Sequence, residues 1–285
     1  EGRTRQTMRN ITRGTIAVLA TLVMAGTAGQ GQTNTSTNAT NSATTSKTNT
    51  VPAHIKVPPP PPTYPWKSSI SLGVTIARGN TDNTLASISA GTEKKWPMND
   101  LAFGADGLYG ETKNPGQQQY TESAEVLHGF SQYDRTLGHD WYAYGRVDGF
   151  HDGIADIKYR LSVSLGLGYF FVTNKTWDWS AQAGPGYVKQ QLDGDSQSFA
   201  SLRLSETLHY NISPNAKAWE TVVFLPQVDR FDNYLVNAEL GVEASLNKAK
   251  NLSLRSVLDD SYVNVPAAGR LKNDLRLITS LVYKF

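Results

Sequence analysis

Residues 274–285 read DLRLITSLVYKF. Leu275, Leu277, Thr279, Leu281, Tyr283 and Phe285 fall on one face of an extended strand, with Asp274, Arg276, Ser280 and Lys284 on the other, because successive side chains of a strand point to opposite sides. Two architectures produce such a strand. In a membrane-spanning barrel the apolar set faces lipid, the polar set faces a lumen, and a terminal aromatic can sit at headgroup level. In a soluble sandwich the apolar set belongs to a half-buried edge strand. The remainder of the chain has to decide between them.

Upstream the same design recurs. Trp66, Ile70, Leu72, Val74 and Ile76 alternate with Lys67, Ser69, Ser71, Gly73 and Thr75. From Ile157, the set Tyr159, Leu161, Val163, Leu165, Leu167, Tyr169 and Phe171 alternates with Lys158, Arg160, Ser162, Ser164, Gly166 and Gly168. A third stretch sets Tyr234, Val236, Ala238, Leu240, Val242, Ala244 and Leu246 against Asn237, Glu239, Gly241, Glu243 and Ser245. Eleven turn signals, near Gly79, Pro97, Asn114, Gly138, Gly153, Asn174, Gly194, Pro214, Asp232, Lys248 and Pro266, divide residues 66–285 into twelve strands. An even number returns both ends to one side, which for a tethered barrel is the periplasmic side. The pattern is muddier at Trp141-Tyr142-Ala143-Tyr144 and from Ala181 to Tyr187, where Gly184-Pro185-Gly186 suggests a bulge or kink.

Threaded up and down from that side, all six tryptophans reach the same end: Trp66, Trp96, Trp141, Trp177, Trp179 and Trp219. Tryptophan prefers the membrane interface, where its ring is buried and its N–H stays wet. A sandwich has no reason to gather them. With Tyr283 and Phe285 they form the expected aromatic girdle.

The chain of 285 residues carries a net charge of +2 with both signs interspersed, so no basic stripe points to nucleic acid. It has no cysteine, which excludes disulfides and thiolate sites and suits export through an oxidising compartment. Arg3, Arg5, Arg9 and Arg13, the apolar run from Ile16 to Met24 and Gly26-Thr27-Ala28 read as a cleaved signal peptide over 1–28. Residues 29–65 pass from a Thr/Asn/Ser-rich tract to Pro58–Pro62, a composition that predicts a disordered linker. The expected fold is therefore all-β: one antiparallel transmembrane barrel of about twelve strands over 66–285.

Three places can carry chemistry. His151-Asp152 stands at the outer end of strand five, but Ser162, Ser164 and Ser196 carry no local catalytic signature. Asp82 with Asn80, Asp152 with Asp156, Asp193 with Asp195, and Asp229 with Asp232 lie on outer connections, where turn chemistry explains them and no calcium-loop spacing occurs. Lys158, Arg160, Arg203, Glu239, Glu243, Arg255, Asp259, Asp274 and Arg276 take lumen positions by alternation. There they either line a conduit or pair and fill it. Interior salt bridges with a narrow channel are the expectation, without catalytic residues, metal or cofactor.

Ser71-Leu72-Gly73, Gly79-Asn80-Thr81-Asp82, Asp152-Gly153 followed by Asp156 and Arg160, Gly166-Leu167-Gly168-Tyr169, Gly184-Pro185-Gly186-Tyr187 and Phe285 resemble domain of unknown function 481 over nearly all of 66–285. The resemblance implies an outer-membrane barrel, an end read by the barrel assembly machinery, and a link to salt or osmotic stress. It supplies no catalytic residue or substrate. The expected partners are outer-membrane lipid and lipopolysaccharide, around a monomer. The expected role is a porin-like conduit or a structural protein of the envelope, with a barrel-borne lipid hydrolase and a loop-mediated binding module as alternatives.

Overall fold

The structure, a computed structural model, describes residues 63–77, 82–113 and 119–285, without the side chains at 76, 77 and 82. The signal peptide read at 1–28, the linker as far as residue 62, and the turn signals at Gly79-Asn80-Thr81 and Asn114 lie outside these residues. Twelve strands are described: β1 (Lys67–Ala77), β2 (Asp82–Trp96), β3 (Asn99–Lys113), β4 (Thr121–Thr136), β5 (Trp141–Asp152), β6 (Ile157–Thr173), β7 (Trp177–Leu192), β8 (Asp195–Ser213), β9 (Ala216–Gln227), β10 (Arg230–Ser245), β11 (Leu252–Val263) and β12 (Asn273–Lys284). Each pairs antiparallel with its sequence neighbours, and β1 pairs with β12, so the sheet closes and no edge remains.

Burial runs opposite to that of a soluble protein. Leu72, Val74, Leu275 and Leu277 are 59%, 65%, 63% and 64% exposed. Polar residues of the opposite face, Ser71, Ser164, Glu243 and Ser280, are buried. No second layer covers the apolar face of this one closed sheet, which rejects the sandwich. An exposed apolar belt of this extent is stable only where the solvent is itself hydrocarbon.

Among the described residues, turns follow the sequence signals with one exception. The β9–β10 turn is at Val228-Asp229 and not at Asp232, which already belongs to β10. The β7–β8 hairpin turns on Asp193 and Gly194, both at positive φ (51° and 82°), the geometry of a two-residue turn matched to strand twist. No bulge occurs at Gly184-Pro185-Gly186: Ser164 faces Gly186 and Leu167 faces Ala183, so the register runs straight through. The shifts in this ladder lie instead between Ile157 and Tyr159 and between Phe170 and Val172.

Candidate functional site

The lumen holds the chemistry. Inward positions include Ser69 and Ser71 of β1, Asp106 of β3, His128 of β4, Arg146 and Asp148 of β5, Arg160 of β6, Arg203 of β8, Glu239 of β10, Asp259 of β11 and Arg276 of β12, all lining a cavity of about 500 Å³.

Towards the end that carries Trp66 and Trp96, here the tryptophan end, Glu243 is 4% exposed. It accepts from Arg255 Nε (3.0 Å) and Nη2 (2.8 Å) and is paired with Lys284. Further in, Arg146 binds Asp148 through Nη2 (2.6 Å) and Gln132 through Nη1 (2.9 Å). The His128 ring lies between Asp106 (2.9 Å) and Asp148 (3.5 Å). Arg160 Nε donates to Gln190 (2.7 Å) and Arg203 Nη1 to Gln182 (2.8 Å). Neither of these two guanidiniums is in an ion pair among the described residues.

At the opposite end, the mouth, contacts cross the lumen. Arg276 Nη2 of β12 donates to Asp152 Oδ2 of β5 (3.0 Å), although β5 and β12 are not neighbours in the barrel. Asp152 is 2% exposed and also accepts from the Ala155 N–H (2.8 Å), which ties its position to the β5–β6 turn. Beside this bridge, Phe150 of β5 and Ile278 of β12 both pack on Leu108, Ala124 and Val126. Asp259 and Asp274 stand at 3.9 Å and 3.8 Å from Arg276. Above them the β11–β12 loop reaches the far wall, where Arg270 Nε donates to Asp156 Oδ2 (2.5 Å). In a ring of twelve strands, the β5–β6 turn and the β11–β12 loop stand opposite one another. The loop therefore straps the mouth.

The Arg270 guanidinium lowers the Asp156 pKa below its ordinary value and is itself raised by the carboxylate. A carboxyl held low in the folded state keeps its contribution above its unfolded pKa and loses it as pH falls through the lowered one. Protection of the amides in residues 264–272, taken relative to the intrinsic exchange rate at each pH, is expected to be high at neutral pH and to fall only in acid. Asp156→Asn is expected to give the low protection at neutral pH, and unchanged protection in that variant would show that the strap is held by other contacts.

Most of the residues read as lumen-facing, Arg160, Arg203, Glu239, Glu243, Arg255, Asp259, Asp274 and Arg276, take part in the contacts described here. Lys158 is a correction. The register shift between Ile157 and Tyr159 places it as an extra residue at the rim, where it is exposed and does not line the cavity. On the outer wall at the tryptophan end, the Lys94 ammonium lies over Trp66 (5.6 Å) and Trp96 (5.3 Å). Trp141 meets Tyr169 edge-on at 4.9 Å, Phe171 meets Trp179 at 4.6 Å, Trp177 stacks on Tyr210 at 4.2 Å, and Tyr283 stacks on Phe285 at 6.2 Å.

Trp219 is the second correction. It belongs to the lumen and not to the girdle: it lines the cavity, and its Nε1–H donates to Glu239 Oε1 (2.5 Å). Its ring lies over Gly241, its cross-strand partner, where any Cβ would collide with it. Tyr142 and Tyr144 turn inward in the same way over their partners Gly168 and Gly166. Sequence reasoning missed these rings, and with them Asp106, His128, Arg146 and Asp148, and it read Asp152 as a residue of the outer connection and not as a partner of Arg276 across the lumen.

His151 faces Glu125 (3.7 Å) and the Lys158 carbonyl (2.9 Å), and among the described residues no serine is a hydrogen-bond partner of its ring. Besides Asp152, three of the acidic-loop residues have partners, Asp156 with Arg270, Asp229 with Gln227, and Asp232 near Arg230, while Asn80 and the Asp82 side chain lie outside the described residues. No group of metal-ligating side chains occurs among the described residues.

A closed antiparallel sheet with an apolar outer belt, an aromatic collar and a charged interior is a β-barrel of the outer-membrane type. The chain belongs to the family described as protein of unknown function, DUF481, whose model matches residues 70–285. Comparison with curated proteins finds no match. Among solved structures, the chain is similar to the NanC porin (9% identity, 76% of this chain and 98% of that one, TM-score 0.46). It is also similar to the outer membrane channel DcaP of Acinetobacter baumannii (10%, 78% and 96%, TM-score 0.39) and to the KdgM porin (7%, 77% and 99%, TM-score 0.40). These likenesses carry no reading of this lumen.

Proposed function

We propose that the chain is a narrow conduit of the outer membrane, held in a constricted state by the ties across its mouth. Arg160 and Arg203 are the observation that carries this reading. Charges withdrawn into a barrel wall cost several kcal/mol each unless paired, and a purely structural interior would neutralise them, as Arg255 and Arg276 are neutralised here. Two guanidiniums that line a water-accessible cavity with amide and aromatic partners, Gln190 and Phe150 for Arg160 and Gln182 and Tyr144 for Arg203, but with no carboxylate paired to them among the described residues, are instead available to a passing anion or polar solute. The membrane lipid and lipopolysaccharide around the belt, the insertion machinery and a monomeric state belong to the same proposal.

Reconstitution in planar bilayers tests it. Wild-type protein is expected to pass a small current, and Asp152→Asn, which removes the charge that holds Arg276 across the lumen, a larger one. In a salt gradient, Arg160→Gln with Arg203→Gln is expected to move the reversal potential toward cation preference. Silence from both wild type and Asp152→Asn, with folded barrels verified on unheated gels, would reject the conduit and leave a structural role in the envelope under osmotic stress.

A further inference from the structure

The outer wall carries an anomaly that a conduit does not use. Outward positions of β6, β7 and β8 are apolar or small over most of their length, yet Glu206 of β8 stands on this lipid-facing side. One oxygen accepts from Trp179 Nε1–H at 2.8 Å. Glu206 forms no ion pair among the described residues. An ionisable group on a lipid-facing wall is costly and calls for a partner.

Glu206 borders a groove of about 460 Å³. In the strand pairing, Trp141, Tyr169, Ala181, Glu206 and Val222 form one row. Leu167, Ala183 and Leu204 form the next row further from the tryptophan end. Ala181 and Ala183 are small, so the floor is low, while Trp141 with Leu167 and Leu204 with Val222 make its flanks. The polar end of the groove thus lies beside the aromatic collar, and its apolar end points toward the middle of the bilayer. That is the polarity of a lipid molecule standing in the leaflet on the tryptophan side.

We propose that this groove binds a glycerophospholipid with a primary-ammonium headgroup, whose ammonium pairs with Glu206 and whose acyl chain lies along Ala183, Leu167 and Leu204. The charge selects the headgroup: an anionic lipid would meet the carboxylate with like charge. A quaternary ammonium has no N–H to donate. A charge-assisted hydrogen bond to a carboxylate in a weakly hydrated groove is roughly twice as strong as a neutral one.

Full-length chain purified in mild detergent is to be loaded with phosphatidylethanolamine, phosphatidylglycerol or phosphatidylcholine of identical chains, and retained lipid counted by native mass spectrometry. Phosphatidylethanolamine is expected to be retained about tenfold more tightly than either of the others, equivalent to about 1.4 kcal/mol, and Glu206→Gln to remove that preference. Ala183→Trp, which fills the groove from a lipid-facing position, is expected to reduce retention of all three, with heat-modifiable migration verifying that the barrel is folded. Equal retention of the three lipids, or a preference that survives Glu206→Gln, would overturn the site. So would a dimer mass in wild type that Ala183→Trp abolishes, since the groove would then be a contact between two copies.

Discussion

Glu243→Ala is expected to destabilise the barrel by about 3 kcal/mol, the lower end of the cost of breaking a buried ion pair from one side. Glu243 belongs to β10, Arg255 faces it from β11, and Lys284 reaches it from β12. The three side chains tie successive strands on the side of the barrel where β12 meets β1. The Glu243 side chain is 2% exposed, whereas those of Arg255 and Lys284 retain 23% and 36%. Removing the carboxylate strands two cations that have only partial access to water.

The measurement is the temperature at which the compact, fast-migrating form on gels converts to the unfolded one. Glu243→Gln should fall between wild type and Glu243→Ala, because an amide accepts hydrogen bonds without supplying charge. Glu243→Leu combined with Arg255→Leu and Lys284→Leu should recover much of the loss, since apolar replacement of a whole buried ion cluster is often neutral. A wild-type transition temperature in Glu243→Ala would show that the trio adds nothing to closure.

The sequence made one level of this architecture legible and hid another. Alternation fixes which face a residue occupies, and so the outer wall of β1, β6, β10 and β12 and lumen residues from Arg160 to Arg276 could be read directly. It does not fix which strands stand across the lumen from one another, because that depends on closure and strand tilt. The pairs Arg276–Asp152 and Arg270–Asp156 are thus invisible until the sheet is closed. Local irregularities hid the rest. One bulge displaces Lys158, and the close aromatic spacing of Trp141, Tyr142 and Tyr144 obscured the inward parity that continues to Arg146 and Asp148. For Trp219, a cue was present in the neighbouring strand: an inward indole needs space, and Gly241 opposite supplies it.

Glycine supplies space of another kind between β6 and β7, and the second large effect is expected there. Gly184→Ala should destabilise the barrel by about 3 kcal/mol, the upper end of ordinary overpacking. A Cβ at Gly184 would run into the Leu165 carbonyl and the Gly166 Cα, and one at Gly166 into the Ala183 carbonyl. These are backbone atoms on paired strands, so no side-chain rotation relieves the clash. The strands must part, and ladder hydrogen bonds beside Pro185, which itself has no N–H to donate, are lost with them. Gly149→Ala provides the contrast: its nearest obstacle is the Gly129 carbonyl at 4.0 Å, an ordinary contact, so its transition should stay within about 0.5 kcal/mol of wild type. If both alanine variants melt with the wild type, the two backbones do not pinch at Gly166 and Gly184. Loss of stability in both would point to glycine's absence in general and not to this approach of β6 to β7.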